Sequence, residues 1–259
     1  MPKVKTIKKS LPPMKIRHRL KEVKDLKKNA EAKAYQYKVL NTSSLTPELL
    51  KQTKKLHAYV YLSKGFIDDS DIGPDGAMHE SADPHQKHSD YFAVVDRSAP
   101  RQVLAAARQI RAHQAHDQLP ILSQSRLHAR HIRSIRSTKA QNIVEISALV
   151  KKPGVSALVV FELYLAMWAT SLRSGHQMWL MACDTRLYRR LKILFGSAIV
   201  RIGKRTHYKG GDVIPCRLDL RASHEKILSN LRSRHILYGK VRRSMAQKFL
   251  QAYMDLENA

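Results

Sequence analysis

The sequence predicts a mixed α/β fold, a central and mostly antiparallel sheet with helices on both faces. Three observations carry that expectation. Residues 142–184 read as a buried strand, a short loop, a helix apolar almost all round, and a second buried strand. Strand pairs with hairpin character flank this unit on both sides. The composition, 43% hydrophobic over 259 residues, gives enough apolar surface for one well-filled core plus extensions.

Taken in order, residues 1–40 are Lys-rich, contain Pro12-Pro13 and show no apolar stripe. Residues 1–44 are therefore expected to form a basic arm, flexible or partly helical. Thr46-Pro47-Glu48 is a helix start, with Thr46 as N-cap and Pro47 at the first helical position. That helix should run through Leu50, Leu56 and Val60 to about residue 62. A turn-rich acidic loop follows over 67–90, marked by Gly73-Pro74 and Asp75-Gly76. Residues 91–95 and 103–110 then make a hairpin around a polar turn.

Residues 117–140 lack an apolar block. Arg126, Arg130, Arg133, Arg136 and Lys139 recur there at helical spacing, with His128 and His131 beside them. This reads either as a docking strip for an acidic partner or as a solvated surface. Strands resume at 143–150 and 176–182, and the helix between them makes these two strands parallel. A further helix leads to an antiparallel pair, 197–203 with 213–220. Helical spacing of Ile227, Leu231, Ile236, Phe249 and Leu250 predicts one or two terminal helices, so that a central domain over 45–221 carries a helical extension over 222–259. The 155–172 stretch has Glu162 as its only charge, but strand-like runs on both sides make it a buried helix rather than a membrane span.

The formal net charge is +26, and it is spread along the chain: +10 over residues 1–40, +11 over 41–220 and +5 over 221–259. Such a field attracts nucleic acid, anionic membrane or an acidic protein, and says nothing of fold. Two cysteines, Cys183 and Cys216, exclude a disulfide framework and a cysteine metal cluster, and no metal is expected. The basic N-terminus lacks a continuous apolar core, so a cytoplasmic protein is the expectation, with the arm able to hold it at the inner face of a membrane.

Chemistry concentrates at the strand–loop–helix. A loop that opens a helix presents unpaired backbone N–H groups, which suit a phosphorylated ligand, and Gly154 permits close backbone approach. Glu145 on the first strand stands beside it as a candidate for chemistry. The alternative is a buried structural carboxylate paired with Arg108. Cys183 has no histidine at a spacing that would activate it, and reads as a buried thiol at a strand end.

These residues carry a resemblance. Lys151-Lys152-Pro153-Gly154-Val155-Ser156 resembles the acyl-carrier loop of the GNAT acyltransferases, with Lys151 and Gly154 on the pattern and Ser156 at its small position. Val144-Glu145-Ile146-Ser147 is similar to the Val-Glu-x-Ser-Arg signature of acyl-homoserine-lactone synthases and long-chain N-acyl amino acid synthases. The hairpin 91–96 and 104–110 with Arg108, Leu119-Pro120, the run 187–191 and the run 208–215 also resemble those enzymes. Departures occur too. Ala148 stands where the signature has arginine, Leu56-His57 where the first helix has Leu-Arg, and Phe66 near an expected Trp. Asp83 and Asp90 match the acidic pair before the hairpin only loosely. The resemblance covers about residues 48–220 and implies a sister acyltransferase rather than a signal synthase.

It implies a GNAT-like sheet and transfer of an acyl group from acyl-CoA or acyl carrier protein to a primary amine such as an amino acid. Glu145 would take the amine proton and Tyr188 would protonate the leaving thiolate, unless Tyr188 is a core aromatic. Ala148, Leu149, Val150, Lys151, Gly154, Val155 and Ser156 would hold the phosphopantetheine arm. Arg108 and Ser147 would hold the acceptor, and the strip Arg126, Arg130, Arg133 and Arg136 would dock the acidic carrier. The competing expectation is an inactive fold of this kind serving as a basic protein that binds nucleic acid or a membrane surface, with Arg232, Arg234, Lys240, Arg242 and Arg243 contributing.

Overall fold

Eight strands form one open sheet in the computed structural model, which describes residues 37–115, 118–156, 158–208, 211–232, 247–248 and 251. The strands are β1 Tyr37–Asn41, β2 Ser89–Asp96, β3 Val103–Arg111, β4 Ile143–Lys151, β5 Met178–Asp184, β6 Ile199–Arg201, β7 Thr206–Tyr208 and β8 Gly211–Asp219. They lie in the order β1-β2-β3-β4-β5-β8-β6, with β7 also paired to β8. β4 and β5 run parallel while the other described pairs are antiparallel, as the crossover argument requires.

The helices are α1 Pro47–Ser63, α2 Ala112–Ala115, α3 Pro120–Gln124, α4 Ala129–Ser137, α5 Leu158–Arg173, α6 Thr185–Phe195 and α7 Leu220–Arg232. Thr46 caps α1 by accepting from the Leu49 N–H at 3.3 Å, and Pro47 supplies the first turn. Asp184 does the same for α6, accepting from the Arg186 and Leu187 N–H groups at 2.7 and 2.9 Å. Strand β5 therefore passes into α6 without a loop.

One face of the sheet carries α5, α6 and α7. Val144, Ile146, Trp179, Met181 and Leu218 meet Val159, Leu163, Met167 and Trp168 of α5 and Phe195 of α6 there. The other face carries α1 over Ala93, Val95, Val103, Ala106 and Val150, and the α2–α4 segment over Ile110, Ile143, Met178 and Leu180. Polar groups lock α5 in place: Gln109 Nε2 donates to the Met167 carbonyl (3.0 Å) and Ser171 Oγ (2.9 Å), and Trp179 Nε1 donates to the same hydroxyl at 2.7 Å. The one acidic residue of α5, Glu162, accepts from Lys248 Nζ at 2.7 Å. Among the described residues no helix is long and apolar enough to cross a membrane.

Two expectations need correction. Tyr37–Asn41, read as part of the arm, is an edge strand: it pairs antiparallel with β2, Tyr37 opposite Asp96 and Asn41 opposite Phe92. The C-terminal extension does not begin at a break, because α7 runs from Leu220 across residue 222, and its Ser223 and Ile227 are buried. Residues 1–36 of the arm, and Arg234, Lys240, Arg242 and Arg243, lie outside the described residues.

Strand β4 changes character halfway along. Ala106 faces Val150 and Arg108 faces Ser147, so Ala107 alone opposes both Ala148 and Leu149. Ala148 takes φ +52°, the only non-glycine residue with positive φ among those described. This is a β-bulge, and it reverses the alternation. Before it, even-numbered Val144 and Ile146 face α5; after it, Leu149 faces α5 and Val150 faces α1. An alanine with left-handed φ is strained by about 1–2 kcal/mol. Ala148→Gly should therefore fold and stay within about 1 kcal/mol of the parent, while Ala148→Val, β-branched at that φ, should cost about 2 kcal/mol or more in urea unfolding.

Candidate active site

The parallel ladder of β4 and β5 is short. Its last pairs are Glu145 with Leu180 and Ile146 with Met181, and beyond them the strands diverge. A cleft of about 750 Å³ opens at this end of the sheet. Leu149, Val150 and Lys151 of β4 and Val160 of α5 line one wall. Asp184, Thr185, Arg186, Leu187 and Arg190 line the wall at the β5–α6 junction, and Arg205 and Asp212 close the third side.

The electrostatics of this cleft are one-sided. Both of its carboxylates are engaged: Asp184 caps α6, while Asp212 accepts from Arg205 and lies 3.2 Å from His207 Nδ1. Those partners, hydrogen bonds first, hold the Asp212 carboxyl below its ordinary range. Lys151 Nζ turns back to donate to the Val155 carbonyl at 2.9 Å and closes the loop. Gly154, at φ +76° with open space where a Cβ would stand, makes the turn. Among the described residues no carboxylate pairs with Arg186 or Arg190, so the cleft offers net positive charge beside the start of α5.

Glu145 lies behind this cleft, on the α2–α4 face, fully buried. Its Oε2 accepts from the Ile121 N–H at 3.1 Å. Burial pushes the carboxyl up to about 8, against the opposing pull of that hydrogen bond and of Arg108. Arg108 is not its ion-pair partner. The guanidinium donates instead to Asp83 Oδ2 at 2.6 Å, both groups buried. Burial opposes the Arg108 charge, but Asp83 outweighs it and the side chain is held protonated. Tyr91 and Ser147 sit on the two strands flanking Arg108, each directly opposite it in register. Burial raises the Tyr91 hydroxyl and, with Arg108 beside it, lowers His85.

Of the residues read from the sequence, the structure brings Leu149, Val150 and Lys151 into the cleft lining, and Gly154, Val155 and Ser156 into the loop that closes it. Glu145, Arg108 and Ser147 gather on the opposite face. Tyr188 is not among the lining residues. It sits on the side of α6 toward the Arg201 backbone and the buried thiols of Cys183 and Cys216, and burial, then Cys216, raises its hydroxyl. The two buried cysteines lie 3.7 Å apart on neighbouring strands β5 and β8.

The arginine strip is shorter than its spacing suggested. Helix α4 begins at Ala129, so Arg126 precedes it and Lys139 follows it. Arg130, Arg133 and Arg136 occupy its exposed face, opposite buried His131 and Ile135. Arg126 still belongs beside them: its carbonyl accepts from the Lys204 N–H at 3.0 Å, next to Arg205 of the cleft. Only glycine fits at 203, since a Cβ there would stand 2.5 Å from the Arg126 oxygen. Arg186, Arg190, Arg205 and Asp212 carry no site role in the sequence reading, although Arg190 and Asp212 lie in the runs 187–191 and 208–215. For the first two, a signal was available: arginines four apart on a helix that starts where a buried strand ends.

No protein-family model matches the chain, and no curated protein matches it in sequence. Its structure is similar to that of FeeM, an N-acyl amino acid synthase from uncultured soil microbes, at 13% identity and a TM-score of 0.57, covering 76% of this chain and 99% of that one. It is similar to MesI, a CoA-dependent acyl-homoserine lactone synthase, at 15% identity and a TM-score of 0.53, covering 77% and 98%. BjaI, another CoA-dependent acyl-homoserine lactone synthase, solved with SAM and isopentyl-CoA, gives 14% and 0.53, covering 83% and 99%. The chain thus has the GNAT-like fold of these synthases.

The Glu145 carboxyl supplies a test of the site's electrostatics. Its ordinary value is 4.5 and its folded value about 8, so between these pH values the folded chain holds a proton that the unfolded chain has released. Stability conferred at acid pH is lost as pH rises through that window. Chemical denaturation from pH 5 to 9 should show the parent falling relative to Glu145→Gln by on the order of a few kcal/mol. A constant difference would mean that Glu145 titrates normally.

Proposed function

We propose that this chain is an N-acyltransferase that moves an acyl group from a phosphopantetheine thioester, carried on CoA or on acyl carrier protein, to a primary amine such as an amino acid. The observation that carries this reading is the divergence of β4 from β5 beside a cationic cleft and a helix-opening loop. A thioester arm laid between the two strands has its phosphate near Lys151, Arg186 and the loop at Gly154–Ser156. Its carbonyl then meets the edge of β4 beyond Ile146, where backbone N–H groups around Ala148–Val150 have no partner on β5 and can polarise the oxygen.

The acceptor approaches from the other face, where Arg108 and Ser147 lie in register and Glu145 stands one pair below the divergence. The amine nitrogen attacks the thioester carbonyl, Glu145 takes a proton from it through a water, and the thiolate leaves. A base held near 8 is well matched to an amine. Tyr188 is assigned the return of a proton to sulfur, which requires a relay because it stands behind the lining. An acidic carrier protein fits the arginine strip, which reaches the cleft at Arg126 and Arg205.

Thiol release from acyl-CoA with mixed amino acids tests the reading. Glu145→Ala should lower kcat/KM by about 10²–10⁴-fold, and the parent's rate should rise with pH toward a plateau above about 8. Mass spectrometry of lipid extracts from overexpressing cells should show an acylated amine that is absent with Glu145→Ala; identical extracts would defeat the proposal. Replacing Arg130, Arg133 and Arg136 together with Glu should raise KM for acyl carrier protein about tenfold and spare acyl-CoA. Equal effects on both donors would remove the docking assignment. The net charge of +26 favours a second reading, a basic protein binding nucleic acid or a membrane surface, which a salt-sensitive mobility shift or liposome binding without thiol release would support.

A further inference from the structure

The cleft at β4–β5 occupies one side of the loop that follows β4. A second groove, of about 660 Å³, lies on the other side. Lys55, Leu56 and Tyr59 form its α1 wall, Arg101 lies on the turn between β2 and β3, and Lys152 and Pro153 lie on the loop. Its frame is built from hydrogen bonds. Gln52 Nε2 donates to the Arg101 carbonyl at 3.0 Å and its Oε1 accepts from the Val103 N–H at 3.3 Å, which ties the turn to α1. The Lys152 N–H donates to the Leu104 carbonyl at 2.9 Å, which ties the loop to β3.

Three cations line this groove and no carboxylate does. Among the described residues, none of Lys55, Arg101 and Lys152 has an acidic partner. Converging like charges on a chain of net +26 oppose one another, and an anion between them relieves that repulsion. The rim adds a different chemistry. Tyr59 is 59% exposed, one of the two large exposed hydrophobic side chains described, and it shares a face of α1 with Lys55 and Leu56. A planar ring beside a fixed cationic groove suits a ligand that joins an aromatic base to phosphate.

We propose that this groove binds a nucleotide, with its phosphates between Lys55, Arg101 and Lys152 and its base on Tyr59. The site shares its loop with the donor cleft. Lys152 follows Lys151, whose ammonium closes that loop on the Val155 carbonyl, so a phosphate held by Lys152 restrains the segment that opens onto the cleft. Occupancy of either site then strengthens the other, and the coupling is reciprocal. The coupling rests on the acyl-transfer reading; nucleotide binding does not. Two sources carry this chemistry, a free nucleotide and the nucleotide end of CoA.

Calorimetry on the full chain at fixed salt decides, with ADP, adenosine, pyrophosphate, CoA and phosphopantetheine as probes. ADP should bind saturably and adenosine should not. Lys55→Ala and Arg101→Ala should each weaken ADP about tenfold, the loss expected for one charge-assisted phosphate contact. Tyr59→Ala should weaken ADP by a similar factor and leave pyrophosphate unchanged. Arg186→Ala and Arg190→Ala, in the other cleft, should leave ADP binding as it was. If the groove variants weaken CoA but not phosphopantetheine, the nucleotide is the donor's own head; if CoA is indifferent to them, the ligand is a free nucleotide. ADP binding that is lost with Arg186→Ala yet intact in the groove variants would overturn the proposal, as would the absence of saturable binding. These substitutions lie on the surface, and matched thermal unfolding confirms that each variant is folded. Because these are binding measurements, they stand even if no acyl transfer is found.

Discussion

A strand with helices on both sides must send alternate side chains to each, and β4 does so only as far as Ser147. At Ala148 one extra residue enters the ladder, and from there the alternation is reversed. Had β4 continued regularly, Leu149 would point toward α1 and Val150 toward α5, the opposite of their observed packing. The bulge also bends the strand away from β5, whose pairing stops at Met181. The cleft, the free edge of β4 and the direction of Lys151 all follow from this one residue. The strain of a left-handed alanine is small beside the burial of the apolar strand around it, and the surrounding pairs hold it in place.

The second constraint is the price of burying charge on the α1 side of the sheet. Arg108 sits in the middle of β3 with almost no exposure, and an isolated guanidinium there would be strongly destabilising. The loop over 67–90 answers this by bringing Asp83 against it. A segment rich in turns is thereby drawn into the interior, with Ile67, Ala77 and Met78 buried along it. Asp83 also leaves Glu145 without a direct counter-charge. The single N–H from Ile121 does not offset its desolvation, and the carboxyl keeps its proton to about pH 8. Burial, more than any neighbouring charge, thus sets the protonation of this acid.

Much of this was legible in the sequence because its signals are local. The cap at Thr46-Pro47, the mostly apolar run of β4 around Glu145 and Ser147, and the hairpin at 89–111 each declare themselves within a few residues. The parallel pairing of β4 and β5 followed from the length and apolarity of the segment between them. What escaped depends on contacts distant in the chain. Tyr37–Asn41 is five residues in a Lys-rich context, and only its pairing with β2 makes it a strand. The bulge carries no glycine to mark it. Arg108 has Glu145 as a near neighbour across the ladder, whereas its partner comes from a loop 25 residues earlier. Arg205 lies just before β7 and Asp212 on β8, and no spacing rule connects either to β4.

Lys151 and Lys152 show how far the reversed alternation extends. They are consecutive, so the end of one strand directs them to opposite sides of the sheet. Lys151 enters the lining of the cleft beneath α5 and α6, and Lys152 enters the groove beneath α1. Without the bulge the two would exchange places, and the ammonium that now closes the loop on Val155 would face Arg101 instead. The loop between the two cavities therefore has a fixed sidedness, inherited from Ala148 three residues before it. A ligand on either side acts on the same few backbone atoms from opposite directions. Restraint of that loop from the α1 side reaches the α5 side without any movement of the sheet, because the sheet is the rigid element against which both lysines are set.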